Sequence, residues 1–136
     1  GNRILGVFAG CQFTASDGKV KFARYFPTGT TTQGSGDVTA YIYDDPSIVY
    51  AIQSAGSADF ADIGNLADHV AGTGDTSTGQ SKFEISGTTG TGTAGMRILG
   101  LYETPKNAFG TNGILEATIH EHELNQHIDA DGTVGV

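Results

Sequence analysis

The stretch "RILGVFAGCQFTASDGKVKFARYF", residues 3–26, reads as a β-hairpin, and it decides the fold class. Its first strand runs from Arg3 to Thr14. "SDGK" at 16–19 centres on Asp-Gly, the dipeptide that best tolerates the positive φ of a tight two-strand turn. The return strand, Val20 to Phe26, alternates. Val20, Phe22, Arg24 and Phe26 fall on one face, and Lys21, Ala23 and Tyr25 on the other, until Pro27 stops the run. The polar loop "TGTTTQGSG" at 28–36 follows.

The opening phrase of this hairpin, "RILGVF" at 3–8, returns as "RILGLY" at 97–102. A glycine inside a strand marks a bulge, a bend or a close backbone approach. The repeat therefore predicts two related strands, bent at Gly6 and Gly100, in a closed or nearly closed sheet.

The rest of the chain keeps the same idiom. "DVTAYIYDDPSIVYAIQS" at 37–54 predicts a second strand pair that turns at "DDPS". In it Val38, Ala40 and Ile42 alternate with Thr39, Tyr41 and Tyr43. "SADFADIGNLADHV" at 57–70 is the segment with helical spacing, at Phe60, Ile63, Leu66 and Val70, and Ser57 is placed to cap it. Gly64 and Asn65 limit it to a turn or two. "SKFEIS" at 81–86 reads as a short strand with Phe83 and Ile85 on one face. "MRILGLYET" at 96–104 and "GILEATIHEHEL" at 113–124 read as the last strands. In the final one Leu115, Ala117 and Ile119 oppose Glu116, Thr118, His120 and His122. The loops 71–80 and 87–95 are rich in Gly and Thr.

A length of 136 residues suits a single domain over 1–136, and 21 glycines with few helix formers favour strands and turns. The expected fold is all-β, a single small β-barrel or β-sandwich with Gly/Thr-rich loops and at most one short helix. The formal charge of −8 argues against direct nucleic-acid binding, which needs cations to displace counterions. No apolar run approaches the ~20 residues of a membrane-spanning helix, and no signal-peptide pattern is present, so no membrane partner is expected. The single cysteine, Cys11, sits in "VFAGCQF" and reads as a small buried residue.

The chemistry-bearing residues are few. His120, His122 and His127 in "IHEHELNQHIDADG" (119–132) have a spacing that could bind zinc, but the pattern is not H-E-x-x-H and reads as polar residues on an edge strand. "DADG" at 129–132 lacks the later ligands of a calcium loop. The Gly-rich loops lack the Lys-Ser/Thr ending of a phosphate cradle. Asp44 and Asp45 precede Pro46 and read as turn formers. No catalytic apparatus, metal or cofactor is expected, and a non-enzymatic role follows. The aromatic residues Tyr25, Phe26, Tyr41 and Tyr43 are the candidate interface, with Tyr50 near the last two.

The order of these phrases carries a resemblance. "RILGVFAGCQFTASDGKVKFARYFPTG", then "AYIYDDPSIVYAIQS", then "ILGLYETPKNAFGTNGILEATIHEHEL" resemble the small head proteins of tailed bacteriophages, the capsid decoration or cement proteins. The resemblance covers most of the chain, and its motifs are strand and turn phrases. It implies a structural virion protein on the outer capsid surface that binds the major capsid protein and stabilises the shell, commonly as a homotrimer. Members of the group carry more sequence before the "LGVF" phrase, so the resemblance also implies a further N-terminal portion. This chain starts at Gly1, with strand-like sequence almost at once. The alternative is a carbohydrate-binding β-sandwich displayed on the virion, which the tyrosine pairs and acidic loops suit and the absence of Trp disfavours.

Overall fold

A computed structural model describes residues 3–34, 37–90 and 92–124. In chain order the strands are β1 (Val7–Thr14), β2 (Val20–Ala23), β3 (Val38–Tyr43), β4 (Val49–Gln53) and β5 (Ser57–Ala58). After a 3-10 turn at Phe60–Asp62 come β6 (Leu66–Ala67), β7 (His69–Val70), β8 (Glu84–Ile85), β9 (Met96–Leu101), β10 (Gly110–Thr111) and β11 (Ile114–Ile119). The chain is all-β. Its larger sheets are a three-stranded one, ordered β2-β1-β3, and a four-stranded one, ordered β4-β11-β9-β6. Every strand pair is antiparallel. Among the described residues no sheet closes into a barrel, so the arrangement is sandwich-like and the expected closed sheet is not formed.

The hairpin is as the sequence reads it. Thr14 pairs with Val20, and Gly18 supplies the positive φ of +81° at the turn. The strands are shorter than the pattern suggested. The first begins at Val7 and the second ends at Ala23.

The second expected pair does not exist as a pair. β3 adds to β1, whereas β4 adds to β11. The "DDPS" turn therefore carries the chain from one sheet to the other. The helical segment is also reduced. It forms one 3-10 turn, capped by Asp59 rather than Ser57, with Asp62 reaching back to the Asp59 N–H at 2.7 Å.

The main core lies on one face of the four-stranded sheet. Leu115, Ala117 and Ile119 alternate inward along β11, and the first two pack with Met96, Ile98, Ala67, Ala58 and Ile85. Tyr50, Ile52, Ile4 and Leu101 close its margins. Each fully buried Ile or Leu here contributes roughly 1.5–3 kcal/mol relative to exposure. A smaller cluster of Cys11, Phe13 and Ala15, with Ala23 against it, lies under the three-stranded sheet. Cys11 is 2% exposed, as its apolar context predicts.

The two Arg-Ile-Leu-Gly phrases do different work. At Gly6 an added Cβ would lie 2.1 Å from the Tyr43 carbonyl oxygen, so this glycine admits a close backbone approach. Gly100 has open space around it and follows a bulge. It pairs with Glu116, while Ala117 pairs with Ile98, which leaves Leu99 as the extra residue.

Candidate interaction surface

Register fixes which side chains share a face of the three-stranded sheet. Gln12 lies between Phe22 and Thr39, and Phe13 lies between Lys21 and Val38. Alternation then places Val20 and Phe22 of β2, Gln12 and Thr14 of β1, and Thr39, Tyr41 and Tyr43 of β3 on one side. The small cluster of Cys11, Phe13 and Ala15 occupies the other.

The first side is open. Phe22 is 72% exposed, Tyr43 59% and Val20 54%. Large apolar side chains left in solvent on a single sheet face mark an interaction surface. The surface is held in place rather than floppy. The Tyr41 hydroxyl donates to Gln12 Oε1 at 2.8 Å, across the β1–β3 pair. The Tyr50 hydroxyl donates to the Tyr43 carbonyl at 3.0 Å. Burial pushes the Tyr50 hydroxyl pKa above its ordinary value of 10.0, and the negative charges of Asp45 and Asp44 push it the same way.

Tyr41 and Tyr43 are thus where the sequence places them, with Tyr50 beside Tyr43. Phe26 is not. Its ring packs edge-on against Phe13 at 5.3 Å and 77°, on the opposite side of the sheet from Phe22. The alternation from Val20 to Phe26 fails because β2 ends at Ala23 and the chain bends at Arg24 and Tyr25. Phe26 stays 43% exposed at the edge of the small cluster, and Tyr25 is half-buried. Val20 and Phe22, which strand alternation alone puts together on one face, share the open side with Tyr41 and Tyr43.

The histidines also separate. The β11 ladder stops at Ile119, because the His120 and Glu121 N–H groups both turn to the Gly95 carbonyl, at 2.8 and 3.3 Å. His122 is then carried inside, 1% exposed, in a bridge to Ile4, and its Nδ1 accepts from the Leu124 N–H at 3.0 Å. Its Nε2 has no hydrogen-bond partner. His127 and the "DADG" turn lie outside the described residues. Among the described residues no three His, Cys, Asp or Glu side chains group to hold a metal, and no helix is long and apolar enough to cross a membrane.

The three polar loops are partly pinned. Thr32 bridges to Ala15, Asp75 to Gln80, and Gly90 to Leu66. Two grooves complete the surface. One, of about 660 Å³, runs between the start of β1 and the core sheet and is lined by Val7, Phe8, Ile52, Phe83 and Met96. His69 stacks on Phe83 there, with ring centroids 5.8 Å apart. The other, of about 570 Å³, is walled by Phe60 and Phe109 and carries Glu103 and Glu116.

No protein-family model, curated protein or solved structure matches this chain.

Proposed function

We propose that this chain is a structural virion protein, a capsid decoration protein that binds the shell of major capsid protein from outside and stabilises the phage head as a homotrimer. The observation that carries the reading is the open face of the three-stranded sheet. It presents Val20, Phe22, Tyr41 and Tyr43 from two strands in fixed register. Aromatic side chains on a rigid sheet lose little entropy on docking, and they supply large contact area. Repetition over a symmetric lattice turns modest contacts into tight retention. The acidic balance of −8 keeps such a particle soluble. The order of strand and turn phrases points the same way.

The test is cryo-electron microscopy of virions from the source, with co-sedimentation of the purified chain on undecorated shells. Density for this chain on the outer surface, with the Tyr41 face toward the shell, supports the reading. Absence of the chain from purified virions overturns it.

A carbohydrate-binding role on the virion is the second reading. The groove of Phe60, Phe109, Glu103 and Glu116 favours it, because sugars are held by an aromatic face and by carboxylates that accept from their hydroxyls. Binding on a glycan array that is lost in Phe60→Ala would favour this reading over the first.

A further inference from the structure

We propose that copies of this chain join edge to edge, the free edge of β3 in one copy adding to the free edge of β2 in the next, with a parallel register. The three-stranded sheet has the order β2-β1-β3, so β2 and β3 are its two rims among the described residues. Along β3 every other residue turns its N–H and C=O away from β1. Proteins ordinarily guard such a rim with a charge, a proline or a bulge on the edge strand. β3, "VTAYIY", has none of these. All six of its residues are exposed. An unguarded rim of this kind is a template for a further strand.

The charges choose which strand. β3 is preceded by Asp37 and followed by Asp44 and Asp45, all exposed. β2 is preceded by Lys19, contains Lys21 and is followed by Arg24, also exposed. Three of the chain's seven Lys and Arg residues therefore sit on or immediately beside one four-residue strand of an acidic protein. Asp17, 3.8 Å from Lys19, offsets part of that charge.

A two-fold β3–β3 pairing would run antiparallel and set Asp37 of each copy against Asp44 and Asp45 of the other. Like charges placed opposite each other destabilise a strand pair. The head-to-tail pairing avoids this. β2 and β3 are both antiparallel to β1, hence parallel to each other. Continuing the sheet with the same face outward sets Val20 beside Thr39 and Phe22 beside Tyr41, which brings Lys19 within one residue of Asp37 and Arg24 within one residue of Asp44. The two-residue difference in strand length is about 7 Å of chain, within reach of Lys and Arg side chains.

Contacts of this heterologous type close into rings when the rotation allows. They also join the open faces, so that Val20 and Phe22 of one copy continue the surface of Tyr41 and Tyr43 of the next. The contact does not depend on a capsid role. It is tested on the purified chain alone, so a monomeric chain removes the homotrimer from the proposed function and leaves shell binding standing.

The experiment uses two charge-reversed variants, Lys19→Glu/Arg24→Glu and Asp37→Lys/Asp44→Lys, with circular dichroism to check folding and sedimentation velocity to read assembly. Wild-type chain is expected to associate. In each variant alone the two rims carry the same net sign, and its dissociation constant is expected to rise at least ~10-fold. Mixing the two variants restores opposite rims and is expected to restore association. Should either variant fold poorly, wild-type chain in ~1 M salt serves instead, where the screening length falls to about 3 Å and association is expected to weaken. A monomeric wild type, variants that associate unchanged, a mixture that stays dissociated, or wild-type association indifferent to salt would each overturn the proposal.

Discussion

The Tyr50 hydroxyl donates to the main-chain carbonyl of Tyr43 at 3.0 Å, and these residues belong to strands of different sheets. The bond spans the turn at which the chain leaves the three-stranded sheet for the core sheet. It fixes how the two strands leave that turn, which their ladders alone do not.

Tyr50→Phe removes that bond and keeps the ring. The expected cost is about 0.5–1.5 kcal/mol, read from urea unfolding. The wild-type pKa is raised, so the stabilising proton is held below the ordinary value of 10.0 and lost as pH climbs through the higher folded value. Wild-type stability should therefore fall at the alkaline end more steeply than that of Tyr50→Phe. Equal alkaline slopes would mean that burial and the Asp45 and Asp44 charges do not raise the Tyr50 hydroxyl, and an unchanged urea midpoint in Tyr50→Phe would remove the bond from the account.

The repeated phrase offers a paired test. Gly6→Ala drives a methyl into the Tyr43 carbonyl oxygen and should destabilise by about 1–3 kcal/mol. Gly100→Ala meets nothing within 4 Å and should stay within about 0.5 kcal/mol of wild type. Similar losses at both positions would mean that the two phrases are structurally equivalent after all.

Phe22 and Phe26 lie on opposite sides of the three-stranded sheet, and both are exposed. Phe26→Ala removes the edge-on contact with Phe13 from a ring that is 43% exposed and should cost about 0.5–1.5 kcal/mol of stability. Phe22→Ala, at 72% exposure, should leave stability within about 0.5 kcal/mol and weaken shell binding. Tyr41→Ala/Tyr43→Ala should weaken binding further, since both rings share that face. Shell binding unchanged in all of these variants would take the open face out of the proposed function.

What was legible in the sequence followed from strict alternation. Leu115, Ala117 and Ile119 are buried because a strand with one wet face must place them so, and Asp-Gly at 17–18 marks its turn by backbone sterics alone. What was not legible is long-range. An Asp-Pro turn looks the same whether its strands pair or diverge, so β3 and β4 were expected together. Alternation also says nothing about where a strand stops. Phe26 was assigned a face by carrying β2 past Ala23. His122 was set beside Glu116 by carrying β11 past Ile119, where the Gly95 carbonyl takes two N–H groups and rotates the chain. The open surface was half visible. The tyrosines of β3 were found by residue type, while Phe22 needed the knowledge that nothing covers β2.

The turn between the sheets also fixes an acid-side prediction. Asp45 Oδ1 accepts from the Ser47 hydroxyl at 2.6 Å and from the Ser47 N–H at 2.8 Å. The side-chain bond is the larger cause, the backbone bond the next, and together they hold the Asp45 carboxyl below its ordinary 3.8. Asp75 repeats the device with Ser77, at 2.6 and 2.9 Å. A lowered folded pKa means the stabilisation is present above 3.8 and is lost as pH falls through the folded value. Carboxyl titration by NMR should place both groups below 3.8. Ser47→Ala should raise Asp45 toward that value and leave Asp75 where it was, and Ser77→Ala should do the reverse. If Asp45 titrates at its ordinary value in wild type, the Asp45–Ser47 bonds do not hold the turn. The route of the chain from β3 to β4 would then rest on Tyr50, the two ladders and the bonds of Ile48, whose N–H donates to the Asp45 carbonyl at 3.2 Å and whose carbonyl accepts from the Thr118 hydroxyl at 3.2 Å.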